Sequence, residues 1–169
     1  MKLPMVVSLL ALAAGMAPAQ KVDIESDESI DYSKYKTFSI GEGQLKSKSA
    51  SLNSDLTRRK IENEIRKRLI EKGLSEASGQ ADLNVIFRLG SARRNEVDDF
   101  PAGRYGLARR RVVTQYTEGT LIIDLRDTSK RELVWRAVAV EDKSDPSKIA
   151  DRLDEMVKKS IEKYPPKKK

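Results

Sequence analysis

The chain has no histidine and no cysteine, and those two absences narrow its chemistry first. They remove Ser-His-Asp and Cys-His nucleophile pairs, and zinc sites built on imidazole or thiolate. Carboxylates could still hold a hard cation, but no Asp-x-Asp-x-Asp-Gly loop is present. Gly41-Glu42-Gly43 is too short for a phosphate cradle and does not stand between a strand and a helix start. Paired carboxylates could do acid–base work. Asp98-Asp99 read as solvated charges, and Asp124 with Asp127 as shaping a hairpin turn, where an Asp side chain bonds its own backbone. No catalytic residue, metal ligand or cofactor is predicted.

Binding chemistry is better represented. The stretch 91–109 has no hydrophobic period and is long for a connection inside one domain. With the residues that follow, it carries Arg93, Arg94, Arg104, Arg109, Arg110 and Arg111 against Glu96, Asp98 and Asp99, with Phe100, Tyr105 and Leu107 among them. Arginine mixed with aromatic side chains is a common binding composition, so Arg93, Arg94, Phe100, Arg104, Tyr105, Arg109, Arg110 and Arg111 are the candidate binding residues. A mobile, extended hairpin tip is the competing reading. Trp135, the one tryptophan, alternates with Leu133 and Ala137 and reads as core rather than as a ligand platform.

The elements around this stretch follow from periodicity. Val22-Asp23-Ile24 opens a strand, and Tyr35–Ile40 reads as an edge strand or a second piece of the first. Residues 41–51 are a Gly/Ser/Lys linker. A helix runs from a cap at Asn53 or Ser54 to Lys72, with Leu56, Ile61, Ile65 and Leu69 as its apolar stripe and Gly73 as its stop. Its other face is basic and interleaved with glutamates; a solvated face fits that better than a lipid-facing one.

Leu83, Val85, Phe87 and Leu89 alternate as a half-buried strand. Residues 110–117 and 120–125 continue as a strand, and 132–140 pairs back as a hairpin. Asp145-Pro146 opens a second helix that buries Ile149, Leu153, Met156, Val157 and Ile161 and stops at Pro165-Pro166. The order is β-α-β-β-β-α. It predicts an α+β two-layer sandwich, an antiparallel sheet of about four to five strands with both helices on one face.

The N-terminus reads as an export signal. Lys2, the apolar run from Met5 to Ala14, and Ala17-Pro18-Ala19 have the order of a cleavable secretory signal. The run is too short to span a bilayer. The expected organisation is a signal over 1–19 cleaved near Ala19, one domain over 20–166 and a basic tail at 167–169. The formal net charge is +7, one unit of which leaves with Lys2. A basic balance favours anionic partners; in an envelope these are lipid, lipopolysaccharide or wall polymer, or an acidic protein face, and not nucleic acid. The expected location is periplasmic or secreted, with peripheral membrane association open and no transmembrane segment in the mature chain.

A family resemblance rests on a series of short pieces: Asp31-x-Ser-x-Tyr-Lys-Thr-Phe38, a helix ending Lys72-Gly73-Leu74, Ala81-Asp82-Leu83-Asn84-Val85, Gly119–Leu125, Leu133-Val134-Trp135-Arg136 and Tyr164-Pro165-Pro166. Their order and spacing resemble the bacterial envelope family known as domain of unknown function 4136. The resemblance implies an exported α+β domain, often a lipoprotein, with no established activity and no catalytic residues to transfer. This chain departs from the commoner pattern in lacking the lipid-accepting cysteine. The functional expectation is a non-enzymatic accessory or binding protein of the envelope acting through 91–111. The alternative is a module holding a small lipid or amphiphile between helices and sheet; a carboxylate-based hydrolase ranks last.

Overall fold

A computed structural model describes residues 20–102, 108–144 and 146–167. The expected signal, Arg104, Tyr105, Leu107 and Asp145 lie outside the described residues. Seven strands form one mixed sheet: β1 (Lys21–Ser26), β2 (Thr37–Ile40), β3 (Gln44–Lys46), β4 (Ser75–Glu76), β5 (Leu83–Ala102), β6 (Ala108–Asp127) and β7 (Glu132–Ser144). Helices α1 (Asp55–Glu71) and α2 (Pro146–Ile161) complete it. The sheet order is β1-β7-β6-β5-β2-β4, with β3 alongside β5. The α+β sandwich expected from the sequence is present, with more strands than four or five. Its sheet is not purely antiparallel, because β2 runs parallel to both β4 and β5, and β3 parallel to β5.

The helices are built as their sequence predicts. Ser54 caps α1 by accepting from the Thr57 N–H at 3.2 Å. At the other end Leu74 N–H donates to Leu69 C=O at 3.1 Å and Gly73 N–H to Ile70 C=O at 2.9 Å. That is a Schellman closure, and Gly73 holds the positive φ of 88° it needs. The buried stripe of α1 is Thr57, Ile61, Ile65 and Leu69, at steps of four. Leu56 does not belong to it and is 73 % exposed; it lies five residues from Ile61, which rotates it off the face. In α2 the five residues expected to be buried all are.

Both helices lie on one face of the sheet, where their buried residues join Leu83, Val85, Phe87, Leu89, Leu121, Ile123, Leu125, Trp135, Ala137 and Ala139 in a single core. The approach is close enough that a Cβ on Gly119 would lie 2.8 Å from Ile149.

Two stretches differ from the sequence reading. Tyr35–Ile40 is no continuation of β1: β1 pairs antiparallel with β7, whereas β2 lies beside β5, with three strands between it and β1. Residues 27–36 carry the chain between them around one end of the sheet. Part of the expected 41–51 linker is strand β3, and Leu52 just beyond it is fully buried.

The larger difference concerns 91–109. The described backbone there is strand, with β5 and β6 in unbroken antiparallel register from Leu83↔Asp127 to Ala102↔Ala108. Beyond Gly90 on β5 and Thr117 on β6 no third strand accompanies the pair among the described residues. The two strands continue as a two-stranded ribbon for roughly 35 Å at the usual rise per residue.

Candidate functional site

The ribbon places five of the six candidate arginines on paired backbone. Arg93 stands opposite Thr117, Arg94 opposite Tyr116, Asp99 opposite Arg111, Phe100 opposite Arg110 and Pro101 opposite Arg109. The antiparallel ladder thus brings together segments far apart in a loop reading, interleaving basic, acidic and aromatic positions within one narrow element.

At the opposite end of β5 lies a cleft of about 720 Å³ that the sequence reading missed. Its lining includes Asp31, Lys34, Tyr35, Asp82, Asp127 and Lys130. Three carboxylates and a phenol in one cleft invite an acid–base reading, but each is occupied by the fold. Asp31 caps the short 3-10 turn over Tyr32–Lys34, accepting from Ser33 N–H. Asp82 Oδ2 accepts from the N–H groups of Lys36 and Thr37 at 2.9 and 2.8 Å and from the Thr37 hydroxyl at 2.9 Å. These bonds hold its pKa below the usual carboxylate value.

Asp127 Oδ1 accepts from Ser129 Oγ at 2.6 Å, Ser129 N–H at 2.9 Å and Lys130 N–H at 3.0 Å, while Oδ2 accepts from the Tyr35 hydroxyl at 3.0 Å. Its pKa is lowered to about 2, with the Ser129 hydroxyl as the largest cause. Burial, and then the bond to Asp127, push the Tyr35 phenol upward. Neither group is placed to exchange a proton near neutral pH. The cleft is a lock that ties the 27–37 crossing segment to the β6–β7 turn.

An aromatic cluster closes the same end. Tyr32 donates its hydroxyl to Val134 C=O, and its ring meets those of Tyr35 and Tyr164 edge-on at 6.2 and 5.9 Å. Tyr164 in turn meets Trp135 at 5.7 Å. Trp135 is fully buried, in keeping with its reading as core. The short pieces behind the family resemblance that hold Tyr32, Asp82, Trp135 and Tyr164 therefore meet at one end of the sheet.

Asp124 is placed differently from the sequence reading. Asp127 does shape the β6–β7 turn, but Asp124 takes no part in it. It lies on the helix-free face, 1 % exposed, between neighbouring strands. Arg88 on β5 donates to it at 2.8 Å and Arg136 on β7 at 2.7 and 3.0 Å. Arg136 also approaches Glu25 of β1 at 3.8 Å. The result is a charge clamp across the sheet.

The basic face of α1 is largely engaged as well. Arg58 pairs with Glu42, Arg66 with Glu76, Arg68 with Glu64 and Glu71, and Lys60 with Asp154 of α2. Gly41 and Gly43 also have structural tasks. Gly41 N–H donates to Val85 C=O at 2.8 Å, and a Cβ on Gly43 would fall 1.9 Å from the Phe87 ring.

An open-faced α+β sandwich with a locked sheet end and a long ribbon is the class that fold and site define. The family model for the domain of unknown function DUF4136 matches residues 22–166, and the chain belongs to that family. A DUF4136 family protein from Bacteroides thetaiotaomicron is similar in structure at a TM-score of 0.58 and 16% identity, over 86% of this chain and 96% of that one. A PDZ domain protein from Parabacteroides distasonis is similar at a TM-score of 0.59 and 16% identity, over 89% of this chain. The match spans only 36% of the Parabacteroides protein. At such identities these likenesses concern the fold alone. No curated protein matches the chain. No helix among the described residues is long and apolar enough to cross a membrane.

Proposed function

We propose that this protein is a non-enzymatic accessory protein of the bacterial envelope, exported by cleavage near Ala19, that binds a protein or an anionic surface component through the ribbon. The observation that carries the reading is the ribbon itself. An isolated pair of strands is marginal in water, and unpaired strand edges invite a partner strand. This one holds Arg93, Arg94, Arg109, Arg110 and Arg111 on its described backbone. Of the carboxylates whose side chains are described, Asp82 and Asp127 are committed to the lock and Asp124 to the clamp.

The amphiphile-binding alternative receives less support, because the space between helices and sheet is filled by Ile61, Ile65, Leu69, Leu153 and Met156 packed on Phe87, Leu121 and Ile123, each 0–1 % exposed. Replacing all six arginines of 91–111 with serine tests the reading. The variant should keep its circular dichroism spectrum and unfolding midpoint while its recovery with the envelope fraction falls. Unchanged recovery would reject the ribbon as the binding surface.

A further inference from the structure

We propose that the outer edge of β5 is a self-pairing strand: two copies of this chain associate by laying residues 92–100 antiparallel about a two-fold axis at Glu96. This rests on the reading of the ribbon as the binding surface, and it names the partner as a second copy.

The backbone parity is set by the part of β5 that does have neighbours. Val85 turns its carbonyl away from β6 to accept from Gly41, whereas Asp82 turns its carbonyl to the other side, accepting from Thr128 N–H at 3.0 Å. By strand alternation the N–H and C=O groups of 93, 95, 97 and 99 therefore lie on the outer edge. Beyond Gly90 no strand among the described residues uses that edge.

The sequence of this edge complements itself. Around Glu96, Arg93-Arg94 precede and Asp98-Asp99 follow at equal distances. A two-fold axis at Glu96 sets Arg93 opposite the partner's Asp99, Arg94 opposite the partner's Asp98 and Asn95 opposite the partner's Val97, and repeats each pair on the other side. The odd-numbered pairs, 93 with 99 and 95 with 97, are those whose backbone groups face each other, so ladder and charges select the same register. Pro101, which lacks an N–H, falls at the end of the ladder.

Neighbouring registers lose the match. Centring on Val97 sets Glu96 against the partner's Asp98 and Arg93 against the partner's Pro101. Centring on Asn95 keeps only Arg94 with the partner's Glu96. The outer edge of β6 has no comparable complement, since over 108–118 it holds Arg109, Arg110 and Arg111 with Glu118 as its one acidic residue. The proposed register contains one repulsive element, Glu96 directly opposite its own copy, and like charges so placed oppose pairing.

The absence of native cysteine makes a single introduced thiol a clean probe of the intact protein. On the axis, Cα atoms of a non-hydrogen-bonded pair lie about 4.5 Å apart, within disulfide reach. Glu96→Cys should therefore oxidise to a covalent dimer, and Asn95→Cys, offset from its own copy, should not.

Sedimentation equilibrium supplies the second arm. Arg93→Asp with Arg94→Asp, and separately Asp98→Arg with Asp99→Arg, should each weaken self-association on the order of tenfold or more. An equimolar mixture of the two variants should associate again, because each 93–99 and 94–98 pair becomes complementary. Glu96→Gln should tighten the wild-type dimer. A wild-type protein monomeric at every concentration tested, a mixture that stays monomeric, or equal cross-linking through positions 95 and 96 would each overturn self-pairing. Those outcomes leave the envelope-binding reading standing, because the serine replacement tests that reading by recovery with the envelope rather than by self-association.

Discussion

Asp127 shows how one carboxylate can look catalytic and be structural. It lines a cleft with two other aspartates and a tyrosine, yet both of its oxygens are taken by Ser129, Lys130 and Tyr35. Because its folded pKa is about 2, below the ordinary 3.8, its contribution to stability is fully present above pH 4. That contribution fades as pH falls toward 2. Asp127→Asn should cost about 1 kcal/mol at neutral pH and should flatten the dependence of urea-unfolding free energy on pH between 4 and 2. An equally steep acid limb in the variant would assign that limb to other groups. The turn role of Asp127 was legible from Asp-x-Ser-Lys alone, because that bonding is local. The tie to Tyr35 was not, since 92 residues separate the two.

Between elements, the clamp around Asp124 has the same character. Alternation with Leu121, Ile123 and Leu125 already places Asp124 on the face away from the core. Only the register shows that Ile86, Asp124 and Arg136 stand in one row across three strands, with Arg88 one step along. A carboxylate on a helix-free face is buried because two guanidiniums cover it. Asp124→Asn would leave Arg88 and Arg136 without their counter-charge; as both retain partial access to water, the expected loss is about 2 kcal/mol rather than the larger cost of a fully buried ion. Chemical denaturation checks this, and an unchanged midpoint would remove the clamp from the account of the sheet. The ribbon was hidden from the sequence for a related reason. Leu83, Val85, Phe87 and Leu89 alternate because α1 and α2 cover one face of β5. Past Gly90 the hydrophobic period stops, and pairing with β6 is all that defines the strand. Periodicity reports burial, not pairing.

Across the whole molecule, the two ends of the sheet do different work. The end around Asp82, Asp127 and Tyr164 is closed by reciprocal hydrogen bonds and edge-on aromatic rings, and several of the pieces through which the chain resembles its family meet there. Away from the shared core, the ribbon carries arginines, acidic residues and backbone edges that no other strand among the described residues pairs. Fold class, both helices and, with Leu52 and Leu56 as the exceptions, most of the core were legible because each rests on local periodicity. The crossing from β1 to β2, the parallel pairs and the cleft were not, because they join residues distant in sequence. The most direct test of the central claim is site-specific photocrosslinking in the native envelope, with the probe placed in turn along 92–101, along 109–116 and at Ser29 and Lys130 beside the cleft. The account predicts discrete adducts, to a second copy or to another envelope component, from the ribbon positions and none from the cleft. Adducts confined to the cleft would contradict it and move the binding surface to the locked end of the sheet.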